Sequence, residues 1–164
     1  MSSTQLRDER QADALRRAAR RFATGVTVVA VRDGGGEHAL TANSFVTLSL
    51  HPALVGVSVT TDGRMRYLAE RARYFGISVL DAEQEEYARH YARRGRDGAP
   101  DHLGLRTLDT VPAPVVPGCV AYFVCEFAHT HPVGDHDLIV GSVVESRVVS
   151  EDRAPLIFLD GKFG

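Results

Sequence analysis

Thr41-Ala42-Asn43-Ser44-Phe45 sets three small hydrogen-bonding side chains close together where an extended pattern breaks at Asn43-Ser44. Backbone amides released at such a break can serve a ligand. The same residues also suit a β-bulge whose side chains satisfy their own backbone. A second concentration of chemistry is His129, His131, Asp135, His136 and Asp137. His-x-His on a strand presents both imidazoles on one face, which admits a metal. The position at a strand-to-strand turn, with no Cys or Glu at ligand spacing, instead favours a solvated or substrate-facing turn, and no metal is assigned. Arg93, Arg94, Arg96 and Arg106 lie in one Gly-, Pro- and Arg-rich stretch and could clamp a phosphate or form a solvated basic loop.

Several chemistries are excluded. Gly34-Gly35-Gly36 lies between two extended runs and is followed by Glu37, not by Gly-Lys-Ser/Thr and a helix. It reads as a hairpin turn, and neither Walker nor Rossmann spacing occurs elsewhere. Cys119 and Cys125 have no identifiable base partner for nucleophilic catalysis. On one strand they would stand roughly 20 Å apart, beyond disulfide reach. They are read as core residues of a protein from a reducing compartment, and a cytoplasmic location is expected.

The elements that must position these groups follow from the pattern. Leu15, Ala18, Ala19 and Phe22 form a helical stripe among arginines within 4–23, predicting an amphipathic helix packed on something apolar. VTVVAV (26–31), the 38–50 run with Val46, Leu48 and Leu50 alternating, and ALVGVSVT (53–60) read as strands, the first two as a hairpin. Met65, Leu68, Ala72 and Phe75 predict a short helix, and 75–80 a strand. Asp81 with Gln84 resembles a capping box opening a helix through about Tyr91. The stretch 93–118 reads as a long connection, functional or disordered. Two long strands, 119–129 and 137–149, and a final strand and tight turn at 155–163 complete the chain.

The fold class expected is mainly β with helices, a barrel core decorated by helices rather than a doubly wound sheet. The 164 residues with net charge −2 make one domain, large enough to bury about two-thirds of its surface without staples. Near-balanced charge leaves no global footprint for nucleic acid or an anionic membrane. The polar, Arg-rich start carries no signal-peptide pattern, and no stretch approaches membrane-spanning length.

FATGVTVV (22–29), LTANSF (40–45), VTLSLHPALVGVSV (46–59), FGISVLDAEQEEYAR (75–89), GDHDLIVGSV (134–143) and PLIFLDGKF (155–163), taken in this order, resemble the flavin reductase-like domain. That family contains short-chain NAD(P)H:flavin oxidoreductases that act as reductase components of two-component flavin monooxygenases. The resemblance runs from Phe22 to the end. It implies a split β-barrel of the FMN-binding type over 22–164, a homodimer with flavin near the interface, and hydride transfer from NADH or NADPH to FMN or FAD; the N-terminal helix, taken as 1–21 of a single domain 1–164, precedes the matched stretch. On that likeness Thr41, Ala42, Asn43 and Ser44 line the flavin, Thr60 and Arg64 belong to the segment holding its phosphate, and His136 faces the nicotinamide. A helix start there would suit the anion. No side chain is assigned a catalytic role, because the cofactors carry the chemistry.

One departure stands out. Where many relatives have a Ser-x-Thr type element, this chain has Asp62-Gly63-Arg64-Met65. Asp62 would repel a phosphate, while Arg64 and Arg66 could compensate. The function implied is reduction of free flavin for a partner monooxygenase. The alternative is a flavoprotein that retains FMN without productive nicotinamide access, and a more distant one is a metal-binding domain using the histidines.

Overall fold

A computed structural model describes residues 3–95 and 98–164. In chain order it comprises α1 (Ser3–Ala19), β1 (Thr24–Gly25), β2 (Thr27–Asp33), β3 (Gly36–Ala42), β4 (Val46–Leu50), β5 (Ala53–Thr60), α2 (Met65–Ala72), β6 (Tyr74–Val79) and α3 (Glu85–Ala92). A 3₁₀ turn (Asp101–Leu103), β7 (Arg106–Thr107), β8 (Pro114–Val115), β9 (Ala121–Val133), β10 (His136–Val148), β11 (Ile157–Leu159) and β12 (Lys162–Phe163) follow. The architecture is mainly β with three helices. None of the described helices is long and apolar enough to cross a membrane.

Seven strands form one antiparallel sheet in the order β3-β2-β6-β9-β10-β5-β4, while β1, β11 and β12 make a small separate sheet. The contiguous β-branched run of β2 is explained by apolar packing on both faces. Val28 and Ala30 enter one buried cluster with Leu80, Val115, Tyr122 and Leu156. Val29 and Val31 enter a second with Val57, Met65, Phe75, Ile77 and Ile139. Alternation disappears where neither face is wet. The approach is close: a Cβ on Gly76 would lie 2.1 Å from the Pro114 carbonyl oxygen, and one on Gly141 2.5 Å from the Phe75 ring.

The ladder is open, because β3 and β4 are its two edges. A side chain spans part of the gap. Ser44, in the break between β3 and β4, donates its hydroxyl to the Ser58 carbonyl at 2.8 Å and accepts the Ser58 N–H at 3.1 Å. It thereby satisfies both backbone groups of one β5 residue, as a neighbouring strand would.

Three expectations are corrected. The stripe of α1 does not pack on its own chain: Leu15 is 69% and Phe22 75% exposed. Of the two readings of the long connection 93–118, disorder does not hold for residues 98–118, since Leu103, Ala113, Val115 and Val116 are buried and the Ser78 hydroxyl accepts the Val116 N–H. Burial drew these apolar residues inward despite the surrounding Gly and Pro. Phe75 belongs to β6 rather than to the preceding helix, which ends at Ala72. Half of the Asp81–Gln84 capping box forms: Gln84 Oε1 accepts the Asp81 N–H, but Asp81 Oδ1 accepts the Glu83 N–H and the Gln84 N–H goes to the Asp81 backbone carbonyl. It caps a turn, and α3 begins only at Glu85.

Candidate active site

The break at Asn43-Ser44-Phe45 is a crossing from β3 to β4, not a bulge within one strand. Its three small polar side chains divide their work. Thr41 Oγ1 donates to the Ala88 carbonyl at 2.7 Å, tying β3 to α3, and Ser44 is committed to β5. Ala42 is buried. Asn43 is exposed and makes no hydrogen bond to the described residues, so its carboxamide is the group left to meet a ligand.

These four residues line a cavity of about 590 Å³ together with Thr60, Arg64 and His136. The elements bringing them together are β3, the end of β5, the β5–α2 connection and the start of β10. His136 follows the tight turn at Gly134-Asp135, where Gly134 takes φ 63°, a backbone region that favours glycine. Register pairs His136 with Thr60 on β5 and with Val133 on β9. Its Nδ1 lies 2.8 Å from Asp135 Oδ1. The hydrogen bond from His136, and then its charge, hold the Asp135 carboxyl below the usual range. The contact leaves Nε2 as the ring atom available to the cavity.

Cations gather at one end. Arg64, Arg93 and Arg94 line the cavity with Asp62, and Arg94 Nη1 lies 3.5 Å from Asp62 Oδ2. The carboxylate anticipated as a repulsive element at a phosphate therefore has a cationic neighbour. Arg64 is the N-cap of α2 without a side-chain capping bond. Arg106 lies on β7 and is absent from this lining, while Arg96 lies outside the described residues. Sequence reasoning missed His38, Ser58 and Tyr91 in the same wall. Tyr91 carried a signal, a phenol three residues after Ala88 on the buried stripe of α3. Its hydroxyl donates to the Leu103 carbonyl at 2.9 Å.

The His129 and His131 rings meet edge to face with centroids 4.8 Å apart. Among the described residues no group of three or more His, Cys, Asp or Glu is placed to hold a metal. Cys119 and Cys125 are buried and unpaired. Burial raises the Cys119 thiol and pushes Cys125 up to about 12, so both remain protonated and inert at neutral pH.

The arrangement fits a ligand with an extended polar edge and an anionic tail: a carboxamide and strand-end groups at one part of the wall, arginines at another, and an imidazole at the rim. The volume lies within the range of small-molecule and cofactor sites.

Residues 19–164 match the model of the flavin reductase like domain. The chain is 36% identical over 152 residues to an NADH-dependent flavin reductase of a Rhodococcus species, covering 91% of this chain and 83% of that protein. It is 35% identical over 146 residues to the reductase component of 4-hydroxyphenylacetate 3-monooxygenase from Thermus thermophilus, covering 89% and 91%. Among solved structures, the NADH:FAD oxidoreductase SgcE6 of Streptomyces globisporus, in complex with NAD and FAD fragments, superposes with a TM-score of 0.87 at 34% identity, covering 94% of this chain and 92% of that one.

Proposed function

Since the chain belongs to the flavin reductase-like domain family, we propose that it is an NADH-dependent oxidoreductase that reduces FMN or FAD and passes the reduced flavin to a separate monooxygenase. The observation that carries this is the single cavity where Asn43, Arg64 and His136 converge from three parts of the chain. Flavin and nicotinamide, when bound, would supply the chemistry, hydride transfer from the reduced nicotinamide to the flavin. The chain's contribution is orientation and charge. Asn43 and the strand-end backbone hold the polar edge of the isoalloxazine, with Thr41, Ala42, Ser44 and Thr60 framing it. Arg64 and Arg94 neutralise the phosphate end, and Asp62 limits how tightly they do so, which suits a flavin that must leave. His136, oriented by Asp135, presents Nε2 to the nicotinamide carboxamide or its phosphates. Holding two reactants at near-attack distance is a large part of such catalysis.

The same reading takes the sheet as one side of a split barrel over 22–164 within a single domain of 1–164, an assignment supported by the Ser44 bridge to β5. It takes the active form as a homodimer, supported by the uncovered α1 stripe and the exposed Val46, Leu48 and Leu50 of β4. It locates the protein in the cytoplasm, consistent with two unpaired thiols.

The test is His136→Ala assayed for flavin affinity and for kcat/KM with NADH and NADPH. A loss of about tenfold or more, roughly 1.4 kcal/mol, with flavin affinity intact is the expected result. Full activity would remove His136 from the site, and parallel loss of both would make the turn a folding element.

A further inference from the structure

Asp137 is buried, its side chain 1% exposed, directly after the cavity-lining His136. Its register partner on β5 is Val59, and its alternate neighbour on β10 is Ile139, both in the apolar cluster that includes Met65 and Ala69 of α2. Among the described residues the only cation at ion-pair distance from it is Arg66, in the first turn of α2, whose Nη1 stands 3.5 Å from Asp137 Oδ2. The pair is incompletely satisfied: Asp137 Oδ1 and Arg66 Nε are both buried without a hydrogen-bond partner. Desolvating the Asp137 carboxylate costs more than its attraction to Arg66, whose side chain is 29% exposed, returns unless geometry and hydrogen bonding are complete. Apolar side chains of similar size would serve stability as well or better. Their placement gives the charges a different use.

His136 is bracketed by two tethers to one segment. On its N-terminal side the Asp135 carbonyl accepts the Thr61 N–H at 3.1 Å. On its C-terminal side Asp137 meets Arg66. Thr61 and Arg66 enclose the connection that carries Asp62 and Arg64 into the cavity. The guanidinium also lies 4.5 Å over the Tyr67 ring, which limits its freedom on the helix side. Directional contacts fix relative position in a way that apolar packing between the same elements would not.

We infer that the Asp137–Arg66 pair is a positioning strut that sets the spacing between His136 and Arg64, and with it the alignment of the hydride donor on the flavin. The inference rests on the reductase reading. Neither residue is itself part of the cavity lining, so both act through their neighbours. A loosened strut leaves each end able to bind its own ligand while the two ligands meet in poorer register.

The experiment compares Arg66→Met, Asp137→Leu and the double variant D137L/R66M with the unsubstituted chain. Melting temperature, FMN affinity, NADH-dependent kcat/KM and the kinetic isotope effect with 4-deuterated NADH are measured for each. Arg66→Met strands a buried carboxylate and should lower the melting temperature. In the double variant both charges are gone and stability should recover. Its kcat/KM should nevertheless stay tenfold or more below that of the unsubstituted chain, with FMN affinity within about twofold and a larger isotope effect as hydride transfer becomes limiting. Recovery of efficiency together with stability would overturn the strut and reduce the pair to a buried-charge problem. If the double variant does not fold, Arg66→Lys keeps the charge and loses the planar fork. A raised isotope effect there supports the strut, and an unchanged isotope effect with unchanged efficiency overturns it. If the unsubstituted chain fails to oxidise NADH with any added flavin, the reductase reading fails instead, and the two failures are separable.

Discussion

At the scale of single residues, the 41–44 stretch shows how chemistry and architecture share a short sequence. The run of small polar residues was legible as a break with ligand-binding potential. The division within it was not, because the partners of Thr41 and Ser44 are backbone groups at positions 88 and 58, remote in the sequence. Asn43 is the side chain without such an obligation. Asn43→Leu should therefore weaken flavin affinity by about 1–3 kcal/mol, the cost of a lost buried hydrogen bond, with melting temperature preserved. Fluorescence-quenching titration with FMN and FAD measures it, and unchanged affinity in a folded variant would refute the assignment. The arginines were legible only as a set. Spacing could not distinguish Arg93 and Arg94, which reach the cavity, from Arg106, which does not.

At the scale of elements, period and β-branching identified β2, β5, β6 and the β9–β10 hairpin because those signals are local. The packed stretch 101–116 was not legible, because the burial of Ala113, Val115 and Val116 depends on a sheet and a helix formed elsewhere in the chain. A second tie on that stretch is polar. Glu145 on β10 accepts hydrogen bonds from Thr110 and from Tyr122 on β9, both at 2.7 Å. Those bonds, Thr110's first and then Tyr122's, hold the Glu145 carboxyl below its usual range. A carboxyl depressed in the folded state stabilises it fully above the unfolded pKa of about 4.3 and loses that effect as pH falls through the lower folded value. Glu145→Gln should therefore melt below the unsubstituted chain at pH 7, with the gap narrowing from about pH 4 downward. Melting curves from pH 7 to 3 decide it, and a gap independent of pH would show that the carboxylate charge is not what ties the segment.

At the scale of the whole molecule, the chain exposes 10012 Å², against roughly 8,000 Å² for a compact monomer of this mass. Its uncovered large apolar residues include Leu6, Leu15 and Phe22 on or just after α1, and Val46, Leu48 and Leu50 along edge strand β4. Most of a helix's stability in a protein comes from packing of its apolar face, and an apolar edge strand invites pairing. A second copy covering both is the economical resolution, so sedimentation at micromolar concentration should give twice the 17.9 kDa chain mass. A single 17.9 kDa species would leave those surfaces unexplained. The central claim is that the cavity brings NADH to a flavin that comes and goes. It is tested most directly by following NADH oxidation at about 340 nm with FMN, FAD or riboflavin added singly to purified protein, reading the loss of the dihydronicotinamide as it gives up hydride and becomes the aromatic pyridinium. NADH turnover should rise with the concentration of added free FMN or FAD and saturate. A protein that stays yellow through purification yet oxidises no NADH, with or without added flavin, would contradict it.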